Sequence, residues 1–314
     1  MQKKRLIAFL TTLVFALVLS TGAIAAPKLK VGMVLKTLSS QYWKIVAAGA
    51  QAAADKAGVE LILLGPPTED AIEQEINMVQ DVISQQVDVI VFSPSQPPAS
   101  INVLEQAKKK GIPVILVDTG MPASFTDYVT FIGTDNIAAG KTGGTALAAK
   151  LQKGDKVILL DGAPGNPSMS DRIKGAEGVL KAAGMVIAAK QPAFSDREKA
   201  YTVTQNVLQS EPNIKGIFAG NDEEALGALR AMQQAGKKVP IIGVDATEDA
   251  LKAILAGDLY CSIAQGNYDM GRIAIEKAID VKAGKKVDKR IDSGATVMTA
   301  ANAQSLLDFR MSIK

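Results

Sequence analysis

Two aspartates, Asp118 and Asp245, stand at matching places in this chain. Each ends an apolar run, Pro113-Val-Ile-Leu-Val and Pro240-Ile-Ile-Gly-Val, and each comes the same short step after its proline. Asn221 precedes Asp245 by the same interval as Pro94 precedes Asp118. Lys36, Ser40, Tyr42, Trp43, Arg172 and Gln265 lie just past the ends of other apolar runs or at the starts of the helices that follow. As a set these side chains suit an uncharged ligand carrying many hydroxyls. A carboxylate accepts from two neighbouring hydroxyls, while Arg, Asn and Lys donate to hydroxyl and ring oxygens. An aromatic face covers the C–H side of a ring. Taken singly, each polar residue has another use as a helix cap or a local turn bond, and Tyr42 and Trp43 have one as core packing.

The elements that must position these residues alternate regularly. Gly216 to Asp245 reads as buried strand, helix and buried strand, with Ala225, Leu226, Leu229 and Met232 on one helical face and Gly236 ending the helix. Val89 to Asp118 has the same design, so the chain contains two copies of one βαβ unit. The spacing predicts strands at Leu29–Leu35, Val59–Leu64, Val89–Phe92, Val114–Val117, Val129–Ile132, Val157–Leu160, Met185–Ala189, Leu259–Ala264 and Thr296–Thr299. Helices fall between them, among them one over Ala71–Ser84, one containing Ile101–Lys110 and one over Asn136–Leu151 capped by Asp135 or Asn136. Polar loops rich in Gly and Pro follow at Asp161–Ser168 and Gln191–Arg197, and Ala283–Lys289 reads as a linker. This alternation means parallel sheets covered on both faces. Ligands bind such sheets beyond the carboxyl ends of the strands.

Composition narrows the chemistry. At 314 residues with 47% hydrophobic content the chain can form two cores. The net charge of +3 is supplied entirely by Lys3, Lys4 and Arg5, and the neutral remainder argues against nucleic acid as a partner. No histidine is present, which removes the commonest general base, a Ser-His-Asp site and most zinc sites. Gly140-Lys141-Thr142 lacks the upstream glycine of a phosphate loop, with Asp135 in its place. Glu223 and Glu224 fall at a helix start and read as capping charge. The single cysteine, Cys261, sits in an apolar strand and reads as a core residue. No catalytic residue, metal or cofactor is expected.

Lys3-Lys4-Arg5, the apolar Leu6–Leu19 and Ala23-Ile24-Ala25 form the pattern of an export leader cleaved after Ala25, with residues 1–25 removed. The mature chain is then expected in the periplasm.

Several stretches resemble the ribose-binding proteins of the type I periplasmic binding-protein family. They are Phe218-Ala-Gly-Asn221-Asp-Glu-Glu-Ala-Leu-Gly-Ala-Leu-Arg230, Val244-Asp245-Ala-Thr-Glu-Asp249, Ile263-Ala-Gln265 and Gln191-Pro-Ala, within a likeness running from about Lys30 to Thr299. Val34-Leu-Lys36-Thr-Leu-Ser with Tyr42-Trp43 is closer to the allose-binding members. The resemblance implies that Asp118, Arg172, Asn221, Asp245 and Gln265 touch ligand, with Tyr42 and Trp43 as paired aromatics. Lys36 stands for a serine, Ser40 for an asparagine and Thr119 for an arginine. The missing arginine fork tells against ribose itself.

The resemblance also implies two Rossmann-like lobes joined by three crossings near Phe131, Gly266 and Asp292. The lobes would comprise residues 28–131 with 266–292, and 132–265 with 293–314. The expected function is the substrate-binding component of an ABC sugar importer, not an enzyme, closing on a monosaccharide and acting as a monomer with an ABC permease. Alternative readings on the same fold are a polyol or sugar-acid binder, or a signal-binding protein feeding a chemoreceptor or sensor kinase. A sugar-responsive repressor would need a basic helix-turn-helix where this chain has its leader pattern. A glycosidase would have only Asp118 and Asp245 as its acid–base pair.

Overall fold

The apolar runs leading to Asp118 and Asp245 are strands inside two separate parallel sheets. The computed structural model describes residues 28–313; the leader pattern and its Ala25 cleavage point lie outside the described residues. The first sheet contains β1 (Lys30–Val34), β2 (Glu60–Leu64), β3 (Val89–Phe92), β4 (Val114–Val117), β5 (Thr130–Gly133) and, from late in the chain, β11 (Arg290–Asp292). The second contains β6 (Lys156–Asp161), β7 (Val186–Pro192), β8 (Ile214–Ala219), β9 (Ile241–Val244), β10 (Cys261–Gln265) and β12 (Ala295–Met298). Their orders, β11-β5-β4-β3-β1-β2 and β12-β10-β9-β8-β6-β7, repeat one winding. Every neighbouring pair is parallel except β10 with β12. β3–β4 and β8–β9 hold equivalent places in the two sheets, which accounts for the internal repeat.

The central strands read Val-Ile-Val-Phe, Val-Ile-Leu-Val and Ile-Ile-Gly-Val and are buried throughout, as strands covered on both faces must be. On the first sheet, α1 (Gln41–Ala57) and α9 (Asn267–Lys282) cover one face, and α2 (Ile72–Ser84) and α3 (Pro97–Lys109) the other. On the second, α4 (Asn136–Ala148) and α5 (Pro167–Ala182) cover one face. The other is covered by α6 (Arg197–Ser210), α7 (Asp222–Gln234), α8 (Glu248–Leu255) and α10 (Ala303–Ser312). The chain passes between lobes after Gly133, at Gly266 and between β11 and β12.

Each lobe therefore contains a helix delivered from the other, α4 in the second and α9 in the first. Glycines let these helices dock. A Cβ on Gly140 would lie 2.0 Å from the Arg172 carbonyl oxygen of α5, and one on Gly271 would lie 1.9 Å from the Val46 carbonyl oxygen of α1. The Gly140-Lys141-Thr142 triplet is part of this helix contact.

Four elements differ from expectation. β7 runs on through Gln191 and Pro192, expected as loop; it is a sheet edge, where proline removes no ladder bond. β11 has only one apolar residue among its three and gave no strand pattern. α3 starts earlier, on Pro97 and Pro98, whose missing N–H groups belong to an unpaired first turn anyway. α7 turns Ala225, Ala228, Ala231 and Met232 into the core, with Leu226 and Leu229 flanking, because small residues allow the close approach of α6.

Candidate functional site

Asp118 follows β4 with φ 61°, and Asp245 follows β9 with φ 116°. Such conformations cost about 1–3 kcal/mol for an L residue and persist only where surroundings impose them. Here the imposing bond is the same in both lobes. The Asp118 N–H donates to the Ile132 carbonyl on β5 at 2.8 Å, and the Asp245 N–H donates to the Ile263 carbonyl on β10 at 2.8 Å. Each turn takes the carboxylate off its sheet, and both line one cavity between the lobes.

The cavity is narrow, with a volume of about 30 Å³. Its first-lobe wall holds Lys36, Ser40, Tyr42, Trp43 and Asp118; its second-lobe wall holds Arg172, Asn221 and Asp245. Thr119 and Gln265 stand behind these walls. Thr119 Oγ1 donates to Asp118 Oδ2 at 2.8 Å, and Gln265 Nε2 donates to Asp245 Oδ1 at 2.7 Å.

Asp118 is surrounded by donors. Tyr42 Oη donates to Oδ1 at 2.7 Å, and Lys36 Nζ lies 3.4 Å from Oδ2. Burial pulls the Asp118 pKa upward, but Lys36 and Arg172, with hydrogen bonds from Tyr42 and Thr119, outweigh it and hold the carboxyl below its ordinary value. Tyr42 is pushed well above the usual phenol value, chiefly by burial and then by the Asp118 and Asp245 charges, so it stays an O–H donor. The Tyr42 and Trp43 rings meet edge to face at 4.8 Å. Trp43 Nε1 donates to Glu69 Oε1 at 2.8 Å, which fixes the loop after β2 at the cavity rim.

Asp245 is placed differently. Arg172 Nη1 lies 3.5 Å from Oδ1, and Oδ2 takes no protein hydrogen bond among the described residues. Burial raises its pKa well above the ordinary carboxylate value; Asp222 and Asp118 push the same way, while Arg172 and Gln265 only partly counter them. Arg172 itself is clamped, with Nε donating to Asn136 Oδ1 at 2.8 Å and Nη1 to the Gly220 carbonyl at 2.9 Å. Asn221 Oδ1 caps α7 by accepting from the Glu224 N–H at 2.9 Å, so its amide nitrogen is the part left for the cavity.

Glu69, Asn166, Ser168, Met169, Ser195, Glu223 and Thr247 complete the lining; none was expected there, and Glu223 was expected only as capping charge. Asn166 and Ser195 lie in polar loops whose position after strands was legible, and Ser168 follows the first of these in the opening turn of α5. Glu69 follows β2 and was readable by the same strand-end rule. Glu223 and Glu224 are not the simple capping pair expected. Glu223 pairs with Arg197 at 2.8 Å, while Glu224 is buried, accepts from the Ser195 N–H at 2.9 Å, and has its pKa raised to about 8 by burial. The Cys261 thiol is buried and pushed up to about 12 by that burial, so it is inert.

With both walls in contact around it, a ligand here would meet acceptors and donors from both lobes at once. Residues 31–286 match the family model described as periplasmic binding protein domain. A ribose import binding protein of Haemophilus influenzae is 34% identical over 288 residues, covering 92% of this chain and 97% of that protein. A D-allose-binding periplasmic protein of Escherichia coli is 34% identical over 295 residues, covering 91% and 94%. Among solved structures, an ABC transporter periplasmic solute-binding protein of Actinobacillus succinogenes with bound D-allose superposes with a TM-score of 0.83 at 29% identity, covering 88% of this chain and 100% of that one. A carbohydrate-transporter solute-binding protein of Agrobacterium radiobacter in complex with D-arabinose gives a TM-score of 0.85 at 26% identity, covering 92% and 100%.

Proposed function

We propose, from the premise that this chain belongs to the periplasmic binding protein family and is of the type I ribose- and allose-binding kind, that its cavity takes one monosaccharide by lobe closure. The protein is the sugar-binding, non-enzymatic component of an ABC importer. The observation that carries the site assignment is the shared cavity, to which each lobe presents a strained strand-end aspartate flanked by donors. A hydroxylated ring fits this lining because Asp118 can only accept, while Asp245 keeps a free oxygen beside Arg172. Lys36 already faces the ionised Asp118, and Glu69 and Glu223 add further acids to the lining, which favours an uncharged pentose or hexose over a sugar acid. Closure follows because a ligand touching both walls stabilises the joined form alone.

Removal of the leader after Ala25, action as a monomer and a chemoreceptor as further partner belong to the same proposal. The test is a thermal-shift screen over aldopentoses, aldohexoses, ketoses, polyols and sugar acids. A true ligand at a hundred times its dissociation constant should stabilise by about 2.7 kcal/mol. A screen in which only sugar acids shift the melting point would overturn the choice of an uncharged ligand.

A further inference from the structure

Thr119 follows β4 in the first lobe, and Ser168 lies in the first turn of α5 in the second; both are buried. Their hydroxyl oxygens are 2.7 Å apart across the lobe boundary. The direction of this bond can be worked out. Thr119 has one hydroxyl proton, and it goes to Asp118 Oδ2 at 2.8 Å. The proton between the two hydroxyls must then come from Ser168, whose weaker second acceptor is the Asp118 carbonyl at 3.3 Å. The chain runs one way, Ser168 to Thr119 to the Asp118 carboxylate.

Three further polar contacts between the lobes lie at the rim. Gln96 Nε2 reaches the Pro164 carbonyl at 3.3 Å, Lys199 pairs with Asp70 at 3.1 Å, and the Asp249 N–H donates to Gln41 Oε1 at 3.3 Å. The first two are exposed, and exposed contacts of this kind contribute little. Among the described residues the buried side-chain hydrogen bonds between the lobes are both made by Ser168, to Thr119 and to the Asp118 carbonyl. Ser168 also borders two spaces at once, the ligand cavity and an outer groove walled by Met121, Pro122, Phe131 and Ile137.

We propose that the Thr119–Ser168 hydroxyl pair is a ligand-independent latch that fastens the lobes, seals the cavity from the outer groove and ties closure to the Asp118 carboxylate. Thr119 is then a positioning residue, since it touches Asp118 and Ser168 but does not line the cavity. The latch raises the closed fraction of the empty protein, and apparent affinity scales with that fraction. Its effect on affinity rests on the cavity being the sugar site; its effect on the empty protein does not.

The test uses spin labels on Lys109→Cys of the first lobe and Gln233→Cys of the second, both exposed positions, with the buried Cys261 left unlabelled. Without ligand, Thr119→Val and Ser168→Ala should each shift the inter-lobe distance distribution to longer values, and Thr119→Ser should restore it. The double variant should open no further than Ser168→Ala alone, because that change already removes every bond Ser168 makes across the boundary. Thr119→Val should also weaken apparent sugar affinity about three- to tenfold, the range of one hydrogen bond. An unchanged distance distribution in both folded single variants overturns the latch, as does additive opening in the double variant. A wild-type protein that binds no sugar overturns the functional reading instead, and the ligand-free distances still decide the latch.

Discussion

Asp118 and Asp245 are one residue type at equivalent positions, and their surroundings push them apart. Lys36, Arg172 and two hydroxyl donors hold Asp118 ionised, whereas burial and neighbouring acids raise Asp245. Replacing them should therefore have unlike results. Asp118→Asn strands the buried Lys36 ammonium, and losing one partner of such a pair costs about 3–5 kcal/mol, so the ligand-free melting temperature should drop markedly. Asp245→Ala removes a carboxylate that resists ionisation, with Arg172 still held by Asn136 and Gly220. It should melt near wild type yet show no sugar-induced shift in calorimetry; a wild-type shift would remove Asp245 from the site. The sequence showed these aspartates because strand ends are marked by apolar runs. It hid their asymmetry, which comes from Tyr42, Thr119, Gln265 and Asp222, brought together only by the fold.

Among the elements, the crossing of α4 over α5 does most to shape the second wall, since it places Asn136 against Arg172. Gly140→Ala would set a methyl carbon 2.0 Å from the Arg172 carbonyl oxygen, a backbone atom that cannot swing away. The variant should lose at least about 1–3 kcal/mol of stability, the usual cost of overpacking, and bind sugar more weakly because Arg172 shifts with α5. Gly178, on α5 with open space around it, is the control, and Gly178→Ala should be neutral or better in both assays. Strands such as β3, β4 and β9 were legible because continuous apolar runs bounded by turns have few other readings. β11 was not, because an edge strand of three residues needs almost no apolar side chain and owes its place to β5.

Across the whole molecule, buried acids set how stability responds to pH. Burial raises Glu75 to about 7, Asp222 to about 7 and Glu224 to about 8. An acid raised on folding contributes stability that is present below its unfolded value and lost as pH climbs through its folded one. Asp118, lowered on folding, does the reverse and contributes only above its unfolded value of 3.8. The ligand-free melting temperature should therefore be highest near pH 4 to 5 and fall from there to about pH 8, where Glu224, the last of these acids, ionises. Glu224→Gln should flatten the upper part of that fall, and a melting temperature that climbs steadily from pH 5 to 8 would contradict these assignments. Lobe closure permits a second whole-molecule test. Cysteines replacing Asp70 and Lys199, which now pair across the rim, can be bridged by a short bismaleimide. Bridging before sugar is added should block binding, and bridging afterwards should trap the sugar through dialysis.

The exchange of helices between lobes bears on how the polypeptide matures. The first lobe cannot cover β3, β4 and β5 on one face until α9 arrives, nor finish its sheet until Arg290–Asp292 are made. A nascent chain released through residue 260 still lacks that cover, so it stays loose while nearly all of it emerges. Such lateness would suit the export proposed above, in which an extended polypeptide crosses a membrane first and takes its shape afterwards.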